Sequence, residues 1–342
     1  VDKAVDSHGL CPRPLICDSR SVDAQPQRFG KYHLLEHLTS GGMADIFLAR
    51  AATMMGAERL LVIKRVHAEK AQDPRFVELF IREARMAALL EHPNLVQTYD
   101  VGRVDGEYFL AMEYLPGLDL QELVVACQRR GMAKPPLSIS LAVLRDVLSG
   151  LHHAHEKLDF DGTPLGIIHR DVTPQNVRIA FDGTVKLLDF GVAAAGRGSG
   201  SELVVGKAPY MSPEQALGRE LDHRSDIFSV GILLYELTVG RRLYRAGSDQ
   251  EARHRVISEA PPDPLRVCPD YPTRLRPVVL RALAKDVEER FADADEMGRA
   301  LDAFTADAGL EQTLVPFMTS LEEEQRDDED EAPTPSPSER GP

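Results

Sequence analysis

Residues Ile167–Gly191, with the sequence IIHRDVTPQNVRIAFDGTVKLLDFG, decide how the whole chain is interpreted. Two apolar residues lead into a polar loop, and two short alternating segments follow, Asn176–Ala180 and Thr184–Leu188. Asp182-Gly183 lies between them, and an Asp-Gly pair between alternating segments is a strong signal for a tight hairpin. The stretch therefore predicts a loop, a two-stranded hairpin and a second loop.

Three oxygen-bearing side chains stand at the ends of this predicted hairpin. Asp171 precedes its first strand, Asn176 begins that strand, and Asp189 follows its second strand. The start of one antiparallel strand lies beside the end of its partner, so we expect the two carboxylates and the carboxamide to converge. Mg²⁺ takes few oxygen ligands from protein and the rest from phosphate and water. The pattern favours a site that holds magnesium and activates a hydroxyl group.

The same stretch resembles the catalytic and metal-binding loops of protein kinases of the eukaryotic type. The resemblance rests on His169-Arg170-Asp171, on Asn176 and on Asp189-Phe190-Gly191. It implies that ATP and Mg²⁺ are the cofactors, that Asn176 and Asp189 hold the metal, and that Asp171 accepts or orients the substrate hydroxyl.

A small-residue turn near the start of the chain fits this resemblance only in part. The family pattern G-x-G-x-x-G-x-V places Thr39, Gly41 and Ala44 at its glycines and Ile46 at its valine, so one glycine of three is kept. An ordinary hairpin turn is the alternative. The resemblance assigns nucleotide binding to Leu38, Thr39, Ser40, Gly41, Gly42, Met43, Ala44, Asp45 and Ile46.

A lysine inside an apolar strand is the next candidate. Lys64 lies in the predicted strand Arg59–Val66, where a buried cation needs a partner or a phosphate. Asp73-Pro74 then predicts the start of a helix, with the aspartate as N-cap. The resemblance pairs Lys64 with Glu83 on this helix, so that Lys64 holds the α- and β-phosphates. A solvated helix face is the alternative for Glu83.

The segment Met112–Gly117 resembles the connection between the two lobes of the family. The resemblance implies that the Glu113 carbonyl and the Leu115 amide bind adenine, with Met112 beside the pocket. Further along, the phrase YMSPEQA resembles the A-P-E element of bacterial serine/threonine kinases, and Asp226 begins a long apolar helix. The family's buried strut corresponds here to Glu214 and Arg290.

Two positions depart from the family pattern. Thr173 stands where relatives carry a lysine that touches the γ-phosphate, and Lys207 stands where they carry a threonine. We hypothesise that Lys207, or another nearby cation, replaces the missing cation. An inactive binding module with a kinase fold is therefore an alternative to the enzyme, and a small-molecule kinase is a second alternative, disfavoured by the A-P-E-like element.

Activation is expected to involve Arg170, which directly precedes Asp171. The resemblance pairs such an arginine with a phosphate on the segment before Glu214, where Ser199 and Ser201 are the candidate acceptors. Autophosphorylation would require transient self-association of two copies. Glu202 as a built-in anion, or a plain flexible linker, is the alternative.

Composition limits the remaining classes. The net charge is −14, and residues 321–342 hold nine acidic residues against two arginines, which is half of it. This acidity argues against general nucleic-acid binding. The sequence contains no run of 18 or more apolar residues, so no membrane span is predicted. The N-terminus has no signal-peptide pattern. We therefore expect a cytoplasmic protein without the membrane and sensor parts of many relatives. Four scattered cysteines favour free thiols over a zinc site.

The predicted fold class is α+β, with a small β-rich N-lobe and a larger helical C-lobe. Residues 1–28 are interpreted as a flexible arm, 29–305 as the kinase domain with lobes of about 29–114 and 115–305, and 306–342 as a disordered acidic tail. The predicted function is ATP-dependent transfer of a phosphoryl group to serine or threonine hydroxyls of proteins in bacterial signalling.

Overall fold

An antiparallel sheet forms the N-terminal lobe of the computed structural model, which describes residues 27–52, 57–190, 207–310 and 313–331. Its six strands lie in the order β1-β2-β3-β4-β6-β5, and one helix, α1, packs beside them. The elements of this lobe are β1 Gln27–Phe29, β2 Tyr32–Ser40, β3 Ala44–Ala52, β4 Glu58–Val66, α1 Pro74–Leu89, β5 Thr98–Val104 and β6 Glu107–Glu113. Positions 1–26 of the predicted flexible arm, residues 1–28, lie outside the described residues. The predicted boundary is wrong for Gln27 and Arg28, which belong to β1.

Alternation along β4 decides where Lys64 points. Leu61 and Ile63 are buried in the cluster on one face of the sheet, and Val62 packs in the cluster that contains Phe80 and Ala84 of α1. Since successive side chains of a strand point to opposite faces, Lys64 lies on the α1 side. The helix begins as predicted, with the Asp73 side chain accepting a hydrogen bond from the Arg75 backbone N–H at 2.9 Å and Pro74 in its first turn.

The C-terminal lobe is mainly helical and contains a second, three-stranded sheet in the order β7-β8-β9. The hairpin predicted from the sequence is confirmed as β8 and β9. The elements of this lobe are β7 Gly117–Asp119, α2 Leu120–Arg129, α3 Leu137–His155, β8 Val177–Ala180, β9 Val185–Leu187, α4 Pro213–Ala216, α5 Arg224–Val239, α6 Asp249–Ser258, α7 Pro264–Val267, α8 Arg276–Ala282, α9 Ala294–Asp307 and α10 Leu314–Glu331.

Helix α5 lies at the centre of this lobe and is buried along nearly its whole length. It contacts α3, α8 and α9, so one apolar helix is enclosed by amphipathic ones. Among the described residues, none of the helices combines the length and the apolar content that crossing a bilayer requires.

The prediction of a disordered tail over residues 306–342 is wrong for Leu314–Glu331, which form helix α10. Leu314, Met318 and Leu321 recur at the spacing of one helix face, and all three are buried in the core of the C-terminal lobe. Arg130, directly after α2, also contacts α10, with its Nε 2.8 Å from Glu324 Oε2 and its guanidinium over the Phe317 ring. The many acidic residues of this segment predicted disorder, although its apolar residues form one face of a helix.

Replacement of Met318, which is fully buried, by alanine is expected to lower the free energy of unfolding by about 2–5 kcal/mol, because it leaves a cavity beneath α10. The measurement is urea denaturation followed by circular dichroism. Glu323→Ala, at an exposed position of the same helix, is the control and should leave the midpoint almost unchanged. Equal midpoints for Met318→Ala and the control would mean that α10 does not belong to the folded core.

Candidate active site

A buried carboxylate on α5 fixes the backbone of the loop that carries Asp171. Asp226 is 1% exposed, and its Oδ2 accepts hydrogen bonds from His155 Nε2 and the His169 backbone N–H, both at 2.8 Å. Its Oδ1 accepts from the Arg170 backbone N–H, also at 2.8 Å. Burial by itself would raise the pKa of Asp226, but the bond from His155 and the other donors lower it below its ordinary value.

Asn176 contacts Asp171 directly and also the backbone just before Asp189. Its Nδ2 donates to the backbone carbonyl of Asp171 and to Asp171 Oδ2, each at 2.8 Å. Its backbone carbonyl accepts from the Leu188 N–H at 2.8 Å, directly before Asp189. Asp171 and Asp189 are therefore positioned by the same residue, at the start and the end of the hairpin as the sequence predicted.

The two lobes meet at an ion pair between Lys64 of β4 and Asp189. The distance from Lys64 Nζ to Asp189 Oδ1 is 2.9 Å, and the lysine is 18% exposed. Asp189 has a φ of +46°, an unusual value for a residue other than glycine. The side chain of Glu83 lies outside the described part of the structure, so its pairing with Lys64 stays a prediction.

The residues assigned to phosphate binding form the turn between β2 and β3. Thr39 pairs with Ile46 and Ser40 with Asp45 across the two strands, and the Gly41 N–H donates to the Ala44 carbonyl at 2.9 Å. The His67 backbone N–H, just beyond β4, donates to the Met43 carbonyl at 3.1 Å. Leu38 and Gly42 lie in this strand pair and turn. The segment is thus a tight turn closed by its own backbone.

Asp45 would place a negative charge beside phosphates, but its neighbours offset that charge. Ser40 Oγ donates to Asp45 Oδ1 at 2.7 Å, and His67 Nε2 lies 3.1 Å from the same oxygen. Arg65 Nη2 and His37 Nε2 lie 3.7 and 3.6 Å from the carboxylate. The bond from Ser40, followed by His67, lowers the pKa of Asp45. Because Asp45 and Ile46 face opposite sides of β3, the carboxylate lies on the face away from Ile46.

The connection between the lobes, residues 113–117, is hereafter the linker. Met112 before it is buried, and the Glu113 N–H donates to the Gln97 carbonyl at 3.0 Å. The Glu113 side chain pairs with Lys186 Nζ of β9 at 2.7 Å. The Leu115 carbonyl accepts from Arg178 Nε of β8 at 3.1 Å. Each strand of the metal-loop hairpin therefore contributes one cation to the linker.

Sequence reasoning missed Arg178 and Lys186, although a signal was present. Val177, Ile179, Val185 and Leu187 are all buried in the core of the lobe. Arg178 and Lys186 alternate with them and are paired across the hairpin. Two cations in register on the second face of a half-buried hairpin indicate anionic or carbonyl partners on that face.

The two departures from the kinase pattern lie in different surroundings. The Lys207 backbone N–H donates to Asp171 Oδ1 at 3.4 Å. Burial lowers the pKa of the Lys207 side chain, while the Asp171 carboxylate acts in the opposite direction. Thr173 is fully buried, and its Oγ1 has no hydrogen-bond partner among the described residues. Lys207 thus lies next to Asp171, and Thr173 is enclosed.

Glu214 and Arg290 form a buried, two-pronged ion pair. Arg290 Nη1 and Nη2 donate to the two carboxylate oxygens of Glu214 at 2.7 and 2.8 Å, and the arginine side chain is 0% exposed. Ser225 Oγ donates to Glu214 Oε1 at 2.6 Å. Burial raises and these donors lower the pKa of Glu214, with a net decrease. The pair joins α4 to the segment before α9, and it is the contact that the family resemblance implied.

Arg290→Met is expected to lower the free energy of unfolding by about 3–5 kcal/mol, because it leaves the Glu214 carboxylate buried without its partner. The double variant Glu214→Gln/Arg290→Met should recover part of that loss. Urea denaturation measures both. Arg274→Met is the matched control, since Arg274 forms an ion pair of 2.7 Å with Asp307 that is exposed and contributes about 0–1 kcal/mol. A loss in Arg290→Met no larger than in the control would contradict a stabilising strut.

The structure describes only some of the candidate activation residues. Ser199, Ser201 and Glu202 lie outside the described residues, and their roles stay predictions. Arg170 is half-buried with a φ of +68°. Burial lowers the pKa of Arg170, Asp226 opposes that shift, and Arg82 of α1 lowers it further.

Comparison with known proteins identifies the family. Residues 32–298 match the protein kinase domain, so the chain belongs to the protein kinase family. It is 40% identical over 285 residues to the tyrosine-protein kinase MasK of Myxococcus xanthus, covering 82% of this chain and 44% of that protein. It is 33% identical over 282 residues to the serine/threonine-protein kinase PrkC of Bacillus subtilis, covering 81% of this chain and 41% of that protein.

The fold comparison agrees with the sequence comparison. The crystal structure of the Mycobacterium tuberculosis PknI kinase domain superposes with a TM-score of 0.63 at 27% identity, covering 84% of this chain and 99% of that one. The α+β fold with two lobes is thereby confirmed. The chain spans less than half the length of the curated relatives that it matches.

Proposed function

We propose that this chain is an ATP- and Mg²⁺-dependent protein kinase that transfers the γ-phosphoryl group to serine or threonine hydroxyls of proteins. One observation carries the proposal: Lys64 contacts Asp189 at 2.9 Å, and Asn176 ties the two carboxylate-bearing ends together. The Asn176 side chain donates to Asp171 at 2.8 Å, and its backbone carbonyl accepts from the Leu188 N–H, directly before Asp189, at 2.8 Å. A lysine, a hydroxyl-orienting carboxylate and two metal-binding side chains are the groups that phosphoryl transfer requires.

The donor set fits magnesium. Asn176 uses its amide nitrogen on Asp171, so a metal contact would come from its carboxamide oxygen, together with the carboxylate of Asp189. In the described part of the chain, no cluster of three or more His, Cys, Asp or Glu side chains is arranged to bind a metal ion. Two oxygen ligands suit an ion that takes its other ligands from phosphates and water. Bound there, Mg²⁺ would neutralise phosphate charge.

The chain's own residues would then act by position and charge. Lys64 would exchange part of its contact with Asp189 for the α- and β-phosphates, held there by Glu83 if the predicted pair forms. Asp171, whose carboxylate is fixed by Asn176, would accept or orient the proton of the attacking hydroxyl. The linker would offer the Glu113 carbonyl and the Leu115 amide to the adenine. Positioning and charge neutralisation of this kind supply most of the catalysis in phosphoryl transfer.

The partners in this proposal are ATP and protein substrates, with signalling as the setting and the cytoplasm as the location. Self-phosphorylation of Ser199 or Ser201 by a second copy would add an anion that Arg170 can bind. The serine/threonine preference draws on PrkC and similar relatives, whereas MasK is named a tyrosine-protein kinase. Phosphoamino-acid analysis of peptides that contain serine, threonine or tyrosine decides between the acceptors.

Asp171→Asn is expected to abolish phosphoryl transfer and to leave the affinity for Mg²⁺·ADP nearly unchanged, because Asp171 faces the hydroxyl. Asp189→Asn should weaken binding and transfer together. Transfer is followed with radiolabelled ATP, and binding by thermal shift. Asp182→Asn is the matched control, the same chemical change at the exposed tip of the same hairpin. Wild-type autophosphorylation by Asp171→Asn would refute the assignment; nucleotide binding without transfer in the wild type would support the inactive binding module.

Lys207→Ala is expected to lower kcat by about tenfold or more, because a cation beside Asp171 and the transferred phosphate is lost, an interaction of roughly 1.5–3 kcal/mol. The substitution keeps the backbone N–H that contacts Asp171, so the loss reports on the ammonium group. Steady-state kinetics with saturating ATP measures it. Thr173→Ala serves for comparison and should change kcat less, since the Thr173 hydroxyl is enclosed. An undiminished kcat in Lys207→Ala would exclude compensation by this lysine.

A further inference from the structure

Arg178 of β8 lies beneath the linker and is held by three acceptors. Its Nε donates to the Leu115 carbonyl at 3.1 Å, its Nη1 to Glu122 Oε2 at 3.3 Å, and its Nη2 to the Gly117 carbonyl. The side chain is 15% exposed. Burial lowers the pKa of Arg178, and Glu122 and then Asp119 oppose that shift. The guanidinium is therefore fixed as a donor to two linker carbonyls.

Close packing of the linker on β8 keeps Arg178 in this position. Gly117 has a φ of +158°, and a Cβ at this residue would lie 2.1 Å from the carbonyl oxygen of Ile179 and 2.5 Å from Cα of Ala180. Only glycine allows the linker to approach so closely. Strand β7, which begins at Gly117, pairs with β8 and places Asp119 opposite Arg178.

The occupied Leu115 carbonyl changes what the linker can offer to a base. The remaining pair, the Glu113 carbonyl as acceptor and the Leu115 amide as donor, matches the amino group and N1 of adenine. Guanine presents the reverse order, an acceptor O6 and a donor N1–H. Guanine would match the linker only if it shifted by one hydrogen-bonding group along the backbone. Its O6 would then accept from the Leu115 amide, and its N1–H would donate to the Leu115 carbonyl.

We propose that Arg178 is a nucleotide-specificity residue, which favours adenine over guanine by occupying the carbonyl of Leu115. A carbonyl oxygen has two lone pairs, so occupation alone is an incomplete barrier. The positive charge of the guanidinium beside that oxygen further disfavours a second N–H donor from a base. The inference rests on the proposed function, because it assumes that the linker binds the base.

The test compares binding of Mg²⁺·ADP and Mg²⁺·GDP by isothermal titration calorimetry in the full chain. Arg178→Met removes the guanidinium and keeps a long apolar side chain. It is expected to reduce the ratio of the GDP Kd to the ADP Kd roughly five- to tenfold, the equivalent of one hydrogen bond. The ratio of kcat/KM for ATP and GTP should change in the same direction.

Lys186→Met is the matched control. Lys186 is the cross-strand neighbour of Arg178 and also contacts the linker, but through the Glu113 side chain. It donates in addition to the Leu95 carbonyl, which lies outside the linker. The Lys186→Met substitution removes one positive charge and one contact with the linker, as Arg178→Met does, but it leaves the bond between Arg178 and the Leu115 carbonyl in place. The control should retain the wild-type ratio of Kd values. Arg178→Lys keeps the charge but has no planar fork, so its ratio should fall between those of the wild type and Arg178→Met.

An unchanged ratio in Arg178→Met, or an equal fall in Arg178→Met and Lys186→Met, would overturn the inference. If Arg178→Met does not fold, Arg178→Lys decides, and a wild-type ratio there would overturn it as well. Failure of the proposed function looks different, since the wild-type chain would then bind neither nucleotide. Binding of ADP with an unaltered ratio rejects the specificity role alone.

Discussion

The carboxylate of Asp226 is the constraint on which the active-site region depends. A charge enclosed in the apolar centre of the C-terminal lobe is costly unless donors surround it, and two of its three donors are backbone N–H groups of the loop before Asp171. The loop must bring both N–H groups to one side chain, and Arg170 adopts a φ of +68° there. A left-handed residue other than glycine persists only where its surroundings over-determine it. The position of Asp171 therefore follows from α5.

The hairpin of β8 and β9 carries this order to the rest of the site. Its buried face packs on the core, its ends carry Asn176 and Asp189, and its second face holds the linker through Arg178 and Lys186. The buried face, the two ends and the second face of this short hairpin thus make different contacts. Since a one-residue slip in pairing would exchange the two faces, the register Val177 to Leu187 and Arg178 to Lys186 fixes all of them together.

Local patterns in the sequence were sufficient for the hairpin, the start of α1 and the strand with Lys64. Each depends on neighbouring residues, namely Asp182-Gly183, Asp73-Pro74 and apolar alternation. The pair of Glu214 and Arg290 came from resemblance, because 76 positions separate them and no local pattern joins them. Helix α10 was missed because its acidic residues dominate the composition, although Leu314, Met318 and Leu321 repeat at helical spacing. The contact between Lys64 and Asp189 joins the two lobes, so its geometry depends on how the lobes pack against each other and not on a local sequence pattern.

The two cations of the hairpin also couple parts of the site that are usually considered separately. In the proposed function, the linker binds the base, and Asn176 and Asp189 hold the metal beside the phosphates. Arg178 is two residues from Asn176, and Lys186 is three residues from Asp189, so short, hydrogen-bonded strands connect each linker contact to a metal ligand. A shift of the linker on the C-terminal lobe would therefore move the proposed metal ligands with it or break a partly buried, charge-assisted hydrogen bond. Base and phosphates of a nucleotide are covalently joined, which limits how far apart they can lie, and a rigid connection between their two binding sites suits such a ligand.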